Sequence, residues 1–151
     1  YSGQEKAVPN PAAIEAIRKA DVVVIAPSNP LMSIQPILGI SGIRDALSAT
    51  KALRLAVSPL VGGKAIKGPA DKMLKSLGFE PTTASIAAHY AGLVDTLVVD
   101  KSDLADLAGN HPADMQVIAE QTVMKSRADK VRLAGQILAT AKHAQSAEVL
   151  A

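Results

Sequence analysis

The chain has 151 residues, 48% hydrophobic and only 2% aromatic, enough apolar material for one domain with a core of Val, Ile, Leu and Ala. A formal net charge of +2, with basic residues spread along the chain, gives no electrostatic footprint for nucleic acid or a membrane surface, and Tyr1, Phe79 and Tyr90 are too few for base stacking. The absence of cysteine removes disulfides, thiolate metal sites and cysteine nucleophiles and suits a reducing cytoplasm; no apolar run approaches the ~18 residues of a membrane span, and no signal peptide is visible.

In chain order, Asn10 is placed to cap a helix opened by Pro11, where the missing N–H costs nothing, with Ile14, Ile17 and Ala20 at helical spacing. Val22 to Ala26 is a continuous apolar run, the pattern of a strand buried on both faces. Pro27 to Pro36, "PSNPLMSIQP", reads as a polar, rigid loop. Ser41 is placed to cap a short helix through about Ala49, and Leu53 to Ser58 is the second strand. Pro69 opens a helix that Gly78 closes. Thr82 to Leu93 reads as a further helix, Thr96 to Asp100 as the third strand, Ser102 to Gly109 as a serine-capped short helix, and Met115 to Met124 as a fourth strand. Ser126 to about Ala144 reads as a long amphipathic helix with Val131, Ala134, Ile137, Leu138 and Ala141 on one face.

Apolar strands alternating with helices predict an α/β, Rossmann-like fold, a mostly parallel sheet flanked by helices. Three or four strands are few for such a sheet, and Tyr1 is an unusual first residue. The expectation is a single α/β domain over residues 1–151 that is one part of a larger one.

In open α/β sheets ligands bind beyond the carboxyl ends of the strands, and two unusual loops follow such ends. In "APSNPLMSIQP", Pro27 and Pro30 fix the backbone, while Ser28, Asn29 and Ser33 offer donors and acceptors. In "SPLVGGKAIKGPADK", after Ser58, Gly62, Gly63 and Gly68 allow close backbone approach, and Lys64 and Lys67 supply charge for phosphate. Asp71 stands at the start of the helix after Pro69, where a dipole-favoured cap is the plain alternative. Neither loop is a Walker A or a dinucleotide fingerprint. His89, His111 and His143 are too scattered for a metal site. Asp95 and Asp100 suit turn or cap roles, and Glu120, Thr122 and Met124 fall where a strand would end at the same cleft.

These loops carry a family likeness. "ADVVVIAPSNPLMSIQPILGISGIRDAL" and "VSPLVGGKAIKGPADKML", with "GLVDTLVVD" and "EQTVMKSRADKVRLAGQIL" downstream, resemble the 2-phospho-L-lactate transferases of deazaflavin coenzyme (coenzyme F-420) biosynthesis, from about Lys6 to Leu138. The resemblance implies a Rossmann-like, dimeric, magnesium-dependent transferase. It would pass a phospholactyl or enolpyruvyl phosphate group from a guanosine-diphosphate-activated donor to the ribityl hydroxyl of the deazaflavin Fo, releasing GMP. On that reading Ser28, Asn29 and Ser33 bind ligand within the frame set by Pro27 and Pro30. Ser58 belongs to the second binding loop; Lys64, Lys67 and the N–H groups around Gly62, Gly63 and Gly68 meet phosphate; Asp71 orients a lysine or a ligand hydroxyl; and Asn29 and Asp71 are the catalytic candidates. The family's glycine-rich first loop and acidic metal ligands belong to an N-terminal half without counterpart here. The chain is therefore expected to be the C-terminal half, with the Mg2+ ligands elsewhere.

Two other readings stay open. A related family of gluconeogenesis factors binds nucleotide-sugars on the same kind of fold, but its first loop is glycine-serine-rich rather than "PSNP", so preference for a UDP-sugar over Fo with GDP would favour it. An inactive fragment would tolerate alanine in both loops with effects on stability alone.

Overall fold

The computed structural model describes residues 3–65, 70–107 and 109–149. In chain order the strands are β1 (Val22–Ile25), β2 (Leu53–Val57), a short hairpin of β3 (Leu60–Val61) and β4 (Lys64–Ala65), β5 (Thr96–Asp100) and β6 (Gln116–Glu120). The α-helices are α1 (Pro11–Lys19), α2 (Gln35–Leu38), α3 (Ile43–Ala49), α4 (Ala70–Ser76), α5 (Thr83–His89) and α6 (Arg127–Val149). β1, β2, β5 and β6 form one parallel sheet in the order β1-β2-β5-β6, and β3 and β4 pair antiparallel. The α/β class and the parallel sheet are as the sequence predicts.

Side chains of each strand alternate between two cores, as a period of two requires. Ala56, Leu97 and Val99 face a cluster with Leu38, Ile43 and Leu47 below α1, α2 and α3, and with Ile86 and Tyr90 at α5. Leu55, Val57 and Val98 face the other way, onto Leu133 and Ile137 of α6. β5 lies inside the sheet and is buried at all five positions. Among the described residues β1 is an edge strand, not one buried on both faces: only β2 pairs with it, and Val24 is 44% exposed.

The predicted helix signals hold where they rest on local hydrogen bonds. Asn10 Oδ1 accepts from Ala12 N–H at 2.9 Å with Pro11 at the first helical position. Asn10→Ala is expected to cost about 1 kcal/mol, seen as a small drop in melting temperature that Asn10→Asp does not cause. Gly78, at φ +74°, closes α4: its N–H reaches Lys75 O, and Phe79 N–H reaches Leu74 O, the paired bonds of a Schellman end. Pro69 lies outside the described residues.

Three predicted details are corrected. Ser41 does not cap α3; Gly42 does, in the left-handed region at φ +83° and with no side-chain bond. The segment after Asp100 is a 3-10 helix from Lys101 to Leu107, and Asp100 rather than Ser102 supplies the acceptor, Oδ1 taking the Ser102 N–H at 3.1 Å. On α6 the buried stripe is Leu133, Ile137 and Ala141, while Val131 and Leu138 are 64% and 53% exposed. The helix turns toward Leu55, Val57 and Val98, and that choice is made by the sheet.

Candidate functional site

Because all four sheet strands are parallel, their carboxyl ends lie along one edge. The segments after Ile25, Val57, Asp100 and Glu120 therefore gather there. The two loops singled out from sequence follow neighbouring strands, β1 and β2.

The first loop is shorter than the sequence suggests. Only Ala26 to Asn29 is irregular; Pro30 to Ile34 forms a π-helical turn that runs into α2. Asn29 builds that turn. Its Oδ1 accepts from Leu31 N–H and Met32 N–H, both at 3.0 Å, and its backbone carbonyl accepts from Ser33 N–H at 2.9 Å and Ile34 N–H at 3.1 Å. Pro36 brings no N–H to the following turn, a known cause of a break in the regular ladder, and wide π turns recur at functional sites. Both hydrogen bonds of the Asn29 side chain to described residues fall on Oδ1, and none of them uses its amide donors. Pro30 is buried, Pro27 and Ser28 are half-buried, and Ser33 is exposed on the helical turn.

In the second loop the glycines form a tight hairpin turn. Gly62 and Gly63 have φ of +60° and +68°, values that favour glycine and suit a two-residue turn between β3 and β4. Their N–H groups, expected to meet phosphate, are held by a side chain of the chain itself. Gly62 N–H donates to Asp103 Oδ2 at 3.0 Å and to Ser102 Oγ at 3.2 Å, and Gly63 N–H donates to Asp103 Oδ1 at 2.8 Å. A phosphate at those amides would have to displace a buried carboxylate. Lys64, directly after the turn, is exposed. Ser58 is buried and its hydroxyl accepts from Leu60 N–H at 3.2 Å, so it shapes the hairpin from beneath. Lys67 and Gly68 lie outside the described residues, as does the side chain of Asp71, whose backbone is in the first turn of α4.

The turn role read for Asp100 and the place read for Thr122 at the same edge both hold, and the structure joins the two residues in a polar junction that the sequence did not reveal. Asp100 Oδ1 accepts from Ser102 N–H at 3.1 Å and Ser102 O–H at 2.8 Å; Oδ2 accepts from Thr122 N–H at 3.0 Å and Thr122 O–H at 3.1 Å. Burial alone would raise the Asp100 carboxyl, but the Thr122 and Ser102 donors outweigh it and hold the group below the ordinary carboxylate value. Glu120 is tied down as well: its Oε2 accepts from Gln136 Nε2 at 2.8 Å, and Arg132 bonds both Gln136 and the Gln121 carbonyl. A local signal existed for one bond, since Asp two residues before Ser is an Asx-turn pattern.

Away from this edge, Asp95 takes the structural role expected of it, accepting from the backbone N–H of Arg54 at 2.8 Å and pairing with its guanidinium. His89 packs edge-on to Phe79 and Tyr90. Burial first, and the nearby Arg44 charge second, push its pKa down, while burial pushes the Tyr90 hydroxyl up.

Magnesium, implied by the resemblance, needs several free oxygen ligands. Among the described residues no group of three or more His, Asp or Glu could hold a metal ion, and the carboxylates of Asp100 and Asp103 are engaged by N–H and O–H donors. These described residues do not fit the ion.

A family profile described as 2-phospho-L-lactate transferase CofD matches residues 1–139. A 2-phospho-L-lactate transferase of Methanocaldococcus jannaschii is 41% identical over 138 residues, 91% of this chain and 43% of its own. A phosphoenolpyruvate transferase of Mycolicibacterium smegmatis is 41% identical over 114 residues, 72% of this chain and 35% of its own. The chain thus spans less than half the length of these curated relatives. Among solved structures, protein BH3568 of Bacillus halodurans shares the fold with a TM-score of 0.56 at 22% identity, over 87% of this chain and 47% of that one.

Proposed function

We propose, from the premise that this chain belongs to the 2-phospho-L-lactate transferase CofD family, that it supplies ligand-binding loops for a group transfer at a phosphate. The donor is a guanosine diphosphate whose terminal phosphorus carries lactate or enolpyruvate, and the reaction moves that phosphorus with its acid onto Fo. The ribityl hydroxyl oxygen forms a bond to the phosphorus that carries the three-carbon acid, the bond from that phosphorus to GMP breaks, and the hydroxyl proton leaves with the solvent. Both partners in such a step are polar and the donor is anionic, so positioning and neutralisation of charge carry the catalysis.

The observation that carries this reading is that the loop of Asn29 follows β1 and the hairpin that bears Lys64 follows the neighbouring β2, one offering amide donors at a π turn and the other a cation just past a Gly-Gly turn. Lys67, Gly68 and Asp71 are proposed to extend the phosphate-binding side of the loop, with Asp71 orienting a hydroxyl or a lysine. The relatives' greater length and the open, apolar β1 edge support a further strand-bearing segment beside β1, the portion to which the metal ligands are assigned. We assign the complete enzyme to the cytoplasm as a homodimer; among the described residues no helix is long and apolar enough to cross a membrane.

The test is binding of Fo to this chain, followed by its fluorescence with and without GDP and magnesium. Binding that Lys64→Ala weakens by about tenfold, the value of one charge-assisted contact, supports the reading. Preference for a UDP-sugar over Fo with GDP, or binding indifferent to both loops, overturns it.

A further inference from the structure

We infer that Asp103 is a positioning residue for Lys64, holding the Gly62–Gly63 turn by both carboxylate oxygens so that the lysine is fixed at the carboxyl edge of the sheet. The inference deepens the phosphate-binding reading of Lys64 and rests on it. The hairpin has two residues in each strand, and so short a two-stranded unit has too few bonds of its own to be stable. Its turn amides would ordinarily face water. Here they meet a carboxylate from a segment 40 and 41 positions further along the chain, at 2.8 and 3.0 Å.

That carboxylate is fully buried, and among the described residues its charge is met by backbone dipoles and not by an ion pair. Burial of a charge is costly unless it is well bonded, so these two bonds are strong and the turn has little freedom. The clip continues inward. Ser102 Oγ accepts from Gly62 N–H and donates to Asp100, which also grips Thr122 beyond β6. The turn is therefore referenced to the ends of β5 and β6, and Lys64, one residue beyond Gly63 and paired with Val61, inherits that reference.

The test is a double-mutant cycle of Asp103→Asn and Lys64→Ala on the full chain, with inorganic pyrophosphate as probe and calorimetry as readout. It is joined to amide proton shifts and heteronuclear NOEs of residues 62 to 64. In Asp103→Asn the Gly62 and Gly63 amide protons are expected to move upfield and the NOEs to fall. Pyrophosphate affinity is expected to drop about tenfold, a loss that disappears when Lys64 is already alanine. Unchanged amides, or the same loss persisting in the Lys64→Ala background, overturns the inference while the phosphate reading stands. Affinity that ignores Lys64→Ala in the otherwise unaltered chain overturns the phosphate reading and the inference with it. If Asp103→Asn fails to fold, Ser102→Ala removes the 3.2 Å contact to Gly62 together with the hydroxyl's bond to Asp100, leaves both Asp103 bonds in place, and is expected to move the Gly62 amide while leaving Gly63 in place; an unmoved Gly62 amide overturns the clip.

Discussion

Asn29→Asp is expected to leave the fold in place and to weaken ligand binding or turnover by on the order of 100-fold, the usual scale for removing one preorganised donor. The side chain has two separable jobs. Its Oδ1 caps the π turn by accepting from Leu31 and Met32 N–H, and an aspartate oxygen does this equally well. Its amide is the part available to a ligand, and aspartate replaces that donor with a negative charge facing an anion. Asn29→Ala removes both, so it adds about 1 kcal/mol of lost capping to the loss of binding. Thermal melts alongside Fo fluorescence separate the two. A ligand affinity in Asn29→Asp equal to that of the unaltered chain would mean that Asn29 is a cap and nothing more.

Asp100→Ala is expected to be the most damaging polar change to stability. The carboxylate takes four donors at a nearly buried junction, and truncation leaves the Thr122 N–H and its hydroxyl without a partner inside the protein. One unsatisfied buried group costs ~1–3 kcal/mol, so a total near 3 kcal/mol follows, or a fall in melting temperature of roughly 10 °C for a chain of this size. The pH dependence has a definite sign. The folded carboxyl titrates below its ordinary value of 3.8, so the unfolded chain takes up its proton first as the pH falls. The stability it contributes is fully present above that value and is lost as the pH drops through the folded one. Asp100→Asn should therefore be less stable than the unaltered chain at neutral pH, with the gap closing in acid. A gap that stays constant from pH 7 to pH 3 would show that the charged form is not what the four donors stabilise.

Some of this was legible one residue at a time. Asn10 with Pro11, and Gly78 after α4, are satisfied by bonds within a single turn, so residue type alone identifies them. The "PSNP" and "VGGK" stretches are recognisable as unusual, and the sequence marks Asn29 as a ligand-binding candidate, while the structure adds its hold on the backbone of the loop. What it does to the backbone, opening a π turn through Ser33 and Ile34, depends on how the following helix is interrupted. The glycines of the second loop read as room for phosphate; the Gly-Gly pair between Leu60–Val61 and Lys64–Ala65 is also a hairpin signal, and its amides go to Asp103. No local pattern joins Gly63 to Asp103, because that bond exists only once β2 and β5 lie side by side.

The sequence by itself determined the alternation of strands and helices, the apolar period of each strand, and the family to which the chain belongs. The first two follow from local propensity and hydrophobic pattern, the family from the likeness of its loop motifs to those of known members. Tertiary structure decided which strand lies at the edge and which face of α6 turns inward. It also decided which carboxylates become buried acceptors rather than free charges at the cleft. Each of those outcomes is set by what packs alongside, since burial makes an unpaired N–H or carboxylate costly and so selects partners far apart in the chain.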